Sequence, residues 1–564
     1  MFFTLAISAG SALQCAALAE RARSADPRVM PIPGPATTVW KSPDGRVAVL
    51  RWGAGDQVPG AVPRSRAGTI WVDPSDGLGA PLRARTSLTR VDPVYTAEVP
   101  DAVILSDRAM WAAAVAGRLT DHDPLHPCAL LGGPGFPIGA ATPFNGVRAL
   151  DGGLSAEVRA CKLVLGLGSG AGAGVGTAGA VGGNGVGGPA GPGSVGAGGA
   201  GSVRGSADVA AALVAAVSPL RSLTEPVELS LTGGKDSRLV LAALVAAGVP
   251  VRARTHGFAA HPDVAVAAEI ARRLGIEHVV REPASPEAKI DVVTRIRATV
   301  LVADGMLSAF ENVGRPDHSP SSVVTAGGHG GELLRGGYAE TAGAGQPDPG
   351  TVAAVKRAAR ATELLRRLTA RHVALLRPGP AARYLATSLA PWSGAALAHG
   401  PLQALDDFYL ANRAGRWSAA ARQAYLLREN LIQPLFDDGV VRAARQVPLA
   451  DRVRGALPAA VLRELRPDLA EIPYAGKPAK GAVPTTFDWR RQYGDQVARF
   501  LRDYTMDLGS TSSLFDVVSQ PAAEKALALP HADRATVWAL ATMACLTAGD
   551  YRNARSEAPF LSVE

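Results

Sequence analysis

Apolar residues along this chain follow three successive patterns. Through about the first 160 residues they form short runs between Pro, Gly and Asp clusters, which is typical of β-strands joined by turns. Residues 11–23 have apolar side chains at helical spacing and predict an amphipathic helix. The strand candidates are residues 2–7, 47–52, 69–72 and 102–105. The first part of the chain is therefore predicted to be β-rich with one early helix.

Strands and helices alternate in the middle of the chain, and helices dominate its end. Residues 227–231 have the length and apolar character of a buried strand, and a helix is predicted from Arg238 until Gly248. The elements predicted next are a strand at 249–255, a helix at 261–275 and a strand at 276–280. Such alternation indicates a parallel, doubly wound sheet. Beyond about residue 350, Ala, Leu and Arg recur with helical periodicity. We predict an α/β protein: a β-rich N-terminal domain, then a doubly wound parallel-sheet domain with a helical C-terminal lobe.

A glycine-rich tract divides these parts. Residues 166–205 consist mainly of Gly, Ala, Val and Ser with almost no charge, and such a composition buries too little apolar surface to offset its chain entropy. We interpret it as a flexible linker or insertion. The predicted division is a domain at 1–160, a linker at 161–205 and an ATP-binding domain at 206–564.

Composition restricts the class of protein. The net charge of +8 comes from 58 Lys and Arg against 50 Asp and Glu, without a long basic block, so no nucleic-acid partner is indicated. The four cysteines lie far apart and form neither a disulfide framework nor a metal-binding spacing, which fits a reducing cytosol. The apolar start has no basic region before it, and no run reaches the roughly 18 apolar residues of a membrane span. A cytoplasmic protein without membrane contact is expected. Residues 121–126 hold two histidines and two aspartates, but the prolines beside them indicate a solvated loop.

The segment between the strand at 227–231 and the following helix carries the candidate chemistry. It reads LTGGKDS. Adjacent glycines let the backbone approach a ligand, and the amides at a helix N-terminus favour an anion there. Hydroxyl groups add donors, and the aspartate is a suitable ligand for a divalent cation. These features predict a site for a Mg²⁺-nucleotide. The nucleotide-binding candidates are Leu231, Thr232, Gly233, Gly234, Lys235, Asp236 and Ser237.

This loop differs from a Walker loop. A Walker loop has a glycine five residues before the one that precedes its lysine, and a Ser or Thr after that lysine. Those two positions hold Leu229 and Asp236. Lys235 is interpreted as an exposed loop residue or as a secondary phosphate contact. The sequence therefore favours another class of phosphate site.

Four stretches together carry a family resemblance. Residues 232–237 resemble the PP-loop of ATP pyrophosphatases, which split ATP into AMP and pyrophosphate. Residues 258–278 contain Asp263 and resemble the segment that follows this loop. Residues 328–338 read GHGGELLRGGY, similar to the motif G-E-G-x-D-E-L-F-G-G-Y, and residues 433–438 read QPLFDD, similar to P-F-L-D. Over residues 204–480 the chain resembles the asparagine synthetase family, in the broader group that includes β-lactam synthetases and lasso-peptide cyclases.

The resemblance implies ATP and Mg²⁺, with Asp236 and Glu332 as metal ligands. Glu332 stands where the family has Asp, and a longer carboxylate retains the capacity to bind Mg²⁺. His329 and Leu333 replace acidic residues of the family motif. The implied reaction joins a substrate carboxylate to the α-phosphate of ATP, and an amine then attacks the acyl-adenylate.

Other candidate residues have two interpretations each. Lys477 falls about where the family has a late lysine that stabilises pyrophosphate and the tetrahedral intermediate; Lys480 competes with it, and either is equally a solvated loop lysine. Tyr338 either faces the acyl site or packs against its neighbours. Arg413 and Arg416 lie three residues apart on one helix face, where they orient an acidic substrate or form a structural ion pair.

The N-terminus departs from the glutamine-hydrolysing members of the family. These begin Met-Cys, whereas residue 2 here is Phe2, and Cys15 lies too far inside the chain to be an N-terminal nucleophile. Residues 104–108, together with Pro143, Phe144 and Val147, still resemble a glutaminase-type domain. Residues 1–160 are therefore interpreted as a degenerate N-terminal-nucleophile (Ntn) domain without glutaminase activity.

These inferences predict an AMP-forming carboxylate–amine ligase. Its expected substrate is a small molecule or peptide bearing a carboxylate and an amine, with a precursor peptide or partner protein as a further expectation. The group that the chain resembles suggests natural product biosynthesis. The alternatives are an ammonia-dependent asparagine synthetase and an inactive scaffold or partner subunit.

Overall fold

The architecture was taken from a computed structural model of the chain. It describes residues 3–24, 37–52, 69–72, 82–159, 161–167, 203–282, 291–311, 323–342, 351–426, 430–476, 496–528 and 534–553. The chain has antiparallel sheets in the N-terminal part and a parallel sheet with helices after them, which confirms the predicted α/β class. The glycine-rich residues 168–202, which make up most of the predicted linker, lie outside the described part.

In its described residues the N-terminal part has ten strands, three α-helices and a π-helical segment, Cys128–Gly132. The strands are β1 (Phe3–Ala9), β2 (Thr37–Lys41), β3 (Val47–Trp52), β4 (Thr69–Val72), β5 (Leu82–Arg85), β6 (Tyr95–Val99), β7 (Ala102–Ser106), β8 (Val147–Ala149), β9 (Leu154–Arg159) and β10 (Lys162–Leu167). The helices are α1 (Ala12–Arg23), α2 (Ala109–Ala116) and the short α3 (Leu125–Pro127). One sheet has the order β2-β3-β1-β7-β6-β8 and the other β10-β9-β5-β4, and all their pairings are antiparallel.

The six-stranded sheet is covered on both faces. Successive side chains of a strand point to opposite faces. Leu5 and Ile7 accordingly pack in a core shared with α1 and α2, whereas Ala6 packs in a second core with Leu82 and Val158 of the four-stranded sheet. The N-terminal part is therefore a two-layer β-sandwich with helices outside one layer.

A parallel sheet forms the centre of the second part. Its strands are β11 (Val227–Ser230), β12 (Val251–His256), β13 (His278–Arg281), β14 (Val324–Ala326) and β15 (Asn430–Ile432), in the order β13-β12-β11-β14-β15. Its helices are α4 (Ser206–Val217), α5 (Lys235–Ala246), α6 (Pro262–Leu274) and α7 (Val292–Val302). The strand order reverses direction between β11 and β14. Ligands of open α/β sheets bind at the carboxyl ends of strands at such a reversal, and β11 is followed by the candidate loop.

Helices fill the rest of the described chain, as predicted. They are α8 (Tyr338–Thr341), α9 (Thr351–Ala370), α10 (Pro378–Tyr384), α11 (Ala390–His399), α12 (Pro401–Phe408), α13 (Ala419–Leu426), α14 (Asp438–Gln446), α15 (Leu449–Val453), α16 (Ala456–Leu465), α17 (Pro467–Ala470), α18 (Gln496–Ser510), α19 (Leu514–Val517), α20 (Gln520–Leu527) and α21 (Arg534–Thr547). A π-helical segment, Tyr409–Ser418, joins α12 to α13. Such segments frequently occur at functional sites.

Buried polar contacts join the two parts. Arg108, at the start of α2, forms an ion pair of 2.5 Å with Asp304, just after α7, and both side chains are fully buried. The backbone N–H of Ala109 donates to the same carboxylate at 2.9 Å. Residues of α13 make further contacts: Arg422 pairs with Asp92. The apolar core around α1 and α2 also includes side chains of α7, α18 and α21, so the two parts share one core.

Candidate active site

The candidate loop is held by its own hydroxyl groups. The backbone N–H of Thr232 donates to Ser237 Oγ at 3.1 Å, and the two hydroxyl oxygens are 3.0 Å apart. The N–H of Gly234 donates to Thr232 Oγ1 at 3.2 Å. Gly234 caps α5, which begins at Lys235, so the first amides of the helix and the positive end of its dipole lie at the loop. This geometry can receive a phosphate group.

Gly233 contacts two other segments of the chain, one at Asp263 and one at Ala475. Its N–H donates to Asp263 Oδ1 at 3.1 Å, and its carbonyl accepts from the N–H of Ala475 at 3.0 Å. A Cβ atom at Gly233 would lie 2.5 Å from the Cβ of Ala475, so only glycine permits this approach. Asp263, in the first turn of α6, thus positions the loop backbone.

Arg238 also connects the loop region to the chain near residues 469–473. This fully buried guanidinium donates to the carbonyls of Leu469, Ile472 and Pro473 at 3.2, 2.5 and 3.1 Å. It also lies 4.5 Å from the ring centroid of Tyr474. Arg238 therefore fastens the chain after α17 to the first turn of α5, a role that the sequence pattern did not suggest.

The glycines of the third motif pack directly on the loop. A Cβ at Gly328 would lie 2.5 Å from the backbone N of Ser237, and one at Gly331 would lie 2.0 Å from Asp236 Cγ. The stretch Gly331–Arg335 is a 3₁₀-helix that begins after Gly330, whose φ of 102° favours glycine. The first and third motifs, about 100 residues apart in sequence, are therefore in contact, as expected at the carboxyl ends of β11 and β14.

Asp236 has a partner that the sequence analysis missed. Its Oδ1 lies 2.6 Å from Arg335 Nη1, and Arg335 Nε lies 2.9 Å from Glu340 Oε2. Burial raises the pKa of Asp236 above its usual range, Arg335 opposes that rise, and Glu332 and Glu340 add to it. An arginine where the related motif has Phe is the sequence feature that would have revealed this contact.

Glu332 and Tyr338 belong to an aromatic cluster beside the loop. Burial and the nearby Glu332 carboxylate raise the pKa of Tyr409, and the rings of Tyr338 and Tyr409 meet edge to face at 5.2 Å. Burial raises the pKa of Tyr338 to about 12. Tyr338, the last residue of the third motif, therefore packs in this cluster.

The fourth motif and His329 complete this cluster. The His329 ring lies 5.7 Å from that of Phe436 and stacks on Trp417 at 5.9 Å. Its Nε2 is 3.2 Å from the hydroxyl oxygen of Ser418. Burial lowers the pKa of His329, so a neutral imidazole stands where related proteins have a carboxylate.

Arg413 and Arg416 have different surroundings. Arg416 is buried and donates to the carbonyl of Ala141, and burial lowers its pKa to about 10. Arg413 is half-buried, and its guanidinium lies 3.4 Å from the ring centroid of Trp417, beside the aromatic cluster. Arg413 is thus the one of the pair that adjoins the candidate site.

Two of the remaining candidates, Lys235 and Cys15, lie apart from the central contacts. Lys235 is exposed, with its ammonium group 5.6 Å from the ring of Tyr474. Lys477 and Lys480 lie outside the described residues, which end at Gly476 in this segment. Cys15 is buried in α1, and burial raises the pKa of its thiol.

The donor chemistry of the site fits Mg²⁺ bound together with phosphate oxygens. Asp236 and Glu332 offer hard oxygen donors, and Mg²⁺ is usually held by one or two carboxylates plus substrate phosphates. Within the described ranges, no group of three or more His, Cys, Asp or Glu residues is placed to hold a metal ion. The protein therefore supplies at most part of such a coordination shell from these residues.

A parallel sheet with a hydroxyl- and glycine-rich loop at its reversal defines a nucleotide-binding α/β protein. The asparagine synthase family model matches residues 208–548, more than half of the chain. The chain therefore belongs to the asparagine synthase family, an ATP-dependent family of ligases. No curated protein matches the chain. In the part of the chain that the structure describes, no helix is both long enough and apolar enough to cross a membrane.

Proposed function

We propose that the protein is an AMP-forming carboxylate–amine ligase. The observation that carries this proposal is the convergence of the Thr232–Ser237 loop, Asp263 and the third motif at the reversal of the parallel sheet. The loop amides and hydroxyl groups suit the phosphates of ATP, and Asp236 lies at their edge. The cluster that contains Glu332 and Tyr338 adjoins the loop and suits the acyl substrate.

The proposed reaction has two steps. An oxygen of the substrate carboxylate attacks the α-phosphorus of ATP, the bond to the β-phosphate oxygen breaks, and pyrophosphate leaves. The amine nitrogen then attacks the acyl carbon, AMP leaves with the bonding electron pair, and the nitrogen loses a proton as the amide forms. Holding both reactants beside one loop removes much of the entropic cost of the second step.

The chain's own residues have separate roles in this proposal. Thr232, Ser237 and the amides at the start of α5 bind phosphate oxygens. Asp236 and Glu332 are the proposed ligands of Mg²⁺, whose charge would offset that of the departing pyrophosphate. Tyr338 lines the acyl site. Lys477 is proposed to contact pyrophosphate and the tetrahedral intermediate, and the contact between Ala475 and Gly233 supports this because Ala475 lies two residues before it.

We further propose that the amine does not come from glutamine. The glutaminase reaction of related proteins needs an N-terminal thiol whose own α-amino group acts as the base, and Phe2 has no thiol. Cys15 is buried in a helix, where its nitrogen is an amide. The amine is then ammonia or part of a small-molecule or peptide substrate. Purified protein given glutamine, ATP and Mg²⁺ should release no glutamate, whereas release blocked by a thiol-reactive glutamine analogue would contradict the proposal.

The adenylation step can be tested without knowledge of the natural amine. Hydroxylamine traps acyl-adenylates as hydroxamates, so a panel of amino acids and short peptides can be screened for hydroxamate formation. With an accepted carboxylate, ATP labelled at the α-phosphate should give labelled AMP, and ATP labelled at the γ-phosphate should give labelled pyrophosphate. Production of ADP and phosphate would refute the mechanism. Asp236→Asn is the matched inactive control.

A further inference from the structure

The Asp236–Arg335–Glu340 contacts form a charged triad at the edge of the phosphate loop. Arg335 bridges two carboxylates, with distances of 2.6 Å to Asp236 and 2.9 Å to Glu340. Its side chain is 12% exposed, against 26% for Asp236 and 40% for Glu340. The arginine thus lies deepest, and Asp236 keeps an open side toward solvent.

The position of Arg335 is fixed by its backbone. It ends the 3₁₀-helix Gly331–Arg335, whose first residue packs against the Asp236 carboxylate. Gly336 follows with a φ of 79°, a conformation that favours glycine and ends the helix. The guanidinium is therefore delivered to Asp236 by a rigid turn, and both partners of Arg335 are anionic.

A guanidinium and a divalent cation compete for the same carboxylate. Two cations side by side repel each other, and this repulsion is stronger in a partly buried site than in water. The triphosphate of ATP brings several negative charges, which offset that repulsion and provide Arg335 with a new acceptor. Arginine binds phosphate oxygens well because its planar fork presents paired donors.

We propose that Arg335 is the resident counter-ion of Asp236 in the nucleotide-free protein and that a divalent cation displaces it only when a nucleotide is bound. Arg335, still held by Glu340, then turns to the phosphates. Metal loading at Asp236 is consequently conditional on nucleotide. The assignment of the metal to Asp236 rests on the proposed function, but the competition itself is a property of the triad.

Manganese binding to the nucleotide-free protein tests this proposal directly. Free Mn²⁺ is measured by electron paramagnetic resonance during titration of the wild type, Arg335→Gln, and the double variant with Asp236→Asn. Arg335→Gln should bind one Mn²⁺ at least tenfold more tightly than the wild type, and the double variant should lose that gain. Arg272→Gln, which removes an arginine from an exposed pair with Glu269, is the control and should resemble the wild type. Equal affinity of Arg335→Gln and wild type, or a gain that survives Asp236→Asn, would overturn the proposal.

A second measurement needs no substitution of Arg335 and covers the case in which that variant does not fold. Adding α,β-methylene-ATP, which cannot be cleaved at the α-phosphate, should raise the Mn²⁺ affinity of the wild type above the sum of separate binding to protein and to nucleotide. Glu340→Gln, which loosens Arg335 from its outer partner, should change the nucleotide-free affinity in the same titration. No synergy with the analogue would refute conditional loading. Neither measurement requires turnover, so a failed ligase assay together with the predicted Mn²⁺ shifts would reject the reaction and retain the triad.

Discussion

Arg238 offers a sharp test of how the active-site segments are assembled. Replacing it with Met keeps a long unbranched side chain and removes the guanidinium that donates to the carbonyls of Leu469, Ile472 and Pro473. The contact of Ala475 with the loop should then loosen. We expect a less stable protein that also binds ATP more weakly, because the same arginine fastens both the fold and the site.

The expected loss of stability follows from the contacts. Hydrogen bonds from a charged donor contribute about 1.5–3 kcal/mol each, and a buried acceptor left without a donor costs about 1–3 kcal/mol. Arg238 has two short bonds, to Ile472 at 2.5 Å and to Pro473 at 3.1 Å, and weaker ones to Leu469 and Gly233 at 3.2 and 3.4 Å. Counting only the bonds to Ile472 and Pro473 gives about 3–6 kcal/mol.

Arg221 provides the matched control. Arg221 is an exposed residue and donates to one carbonyl, that of Ala247 at the opposite end of α5. Arg221→Met should therefore cost about 0.5–1.5 kcal/mol. Equilibrium urea unfolding gives the free energies, and calorimetric titration gives ATP affinity, for which we expect at least a tenfold loss only in Arg238→Met. A difference below about 1 kcal/mol between the two variants, or unchanged ATP affinity, would refute the reasoning.

Three further predictions address the site and the fold. Gly331→Ala places a Cβ 2.0 Å from Asp236 Cγ and should weaken ATP binding at least tenfold by calorimetry, whereas Gly379→Ala, with nothing within 4 Å, should not. Asp236→Asn and Glu332→Gln should each slow hydroxamate formation by at least about a hundredfold with an unchanged circular dichroism spectrum; a normal rate would contradict their roles. Burial lowers the pKa of His126 to about 3. Below about pH 6.5 this histidine is protonated in the unfolded chain but stays neutral in the folded chain. The folded state is therefore most stable above pH 6.5 and loses stability as the pH falls. Urea unfolding should show the wild type losing ~1.4 kcal/mol more than His126→Gln between pH 7.5 and 5.5.

The central elements of the site were predictable because the hydrophobic pattern of each element is local in the sequence. The apolar run at 227–231 becomes β11, in which Val227 and Leu229 are fully buried, and the helical spacing that follows becomes α5. Gly233, Gly328 and Gly331 are required by close contacts with Ala475, Ser237 and Asp236. Family motifs identified in the sequence therefore met in space.

Polar residues whose partners lie far away in sequence were not predictable. Arg238 reads as the polar first turn of an amphipathic helix, but carbonyls more than 200 residues later surround it. The prolines near His126 indicated a solvated loop, and this was wrong for the histidine: it is buried, with its Nε2 2.9 Å from the carbonyl oxygen of Gly305. In each case a tertiary acceptor offsets the cost of burial, and periodicity carries no information about it.

The Arg108–Asp304 pair has a consequence for how this protein can change. Deleting the N-terminal sandwich would remove the partner of Asp304 and expose apolar side chains of α7, α18 and α21 that are buried in the shared core, which is unfavourable. Gene fission or domain exchange at residue 205 would therefore need simultaneous substitutions in α7, α18 and α21. These contacts make the N-terminal sandwich part of the structural support of its neighbour.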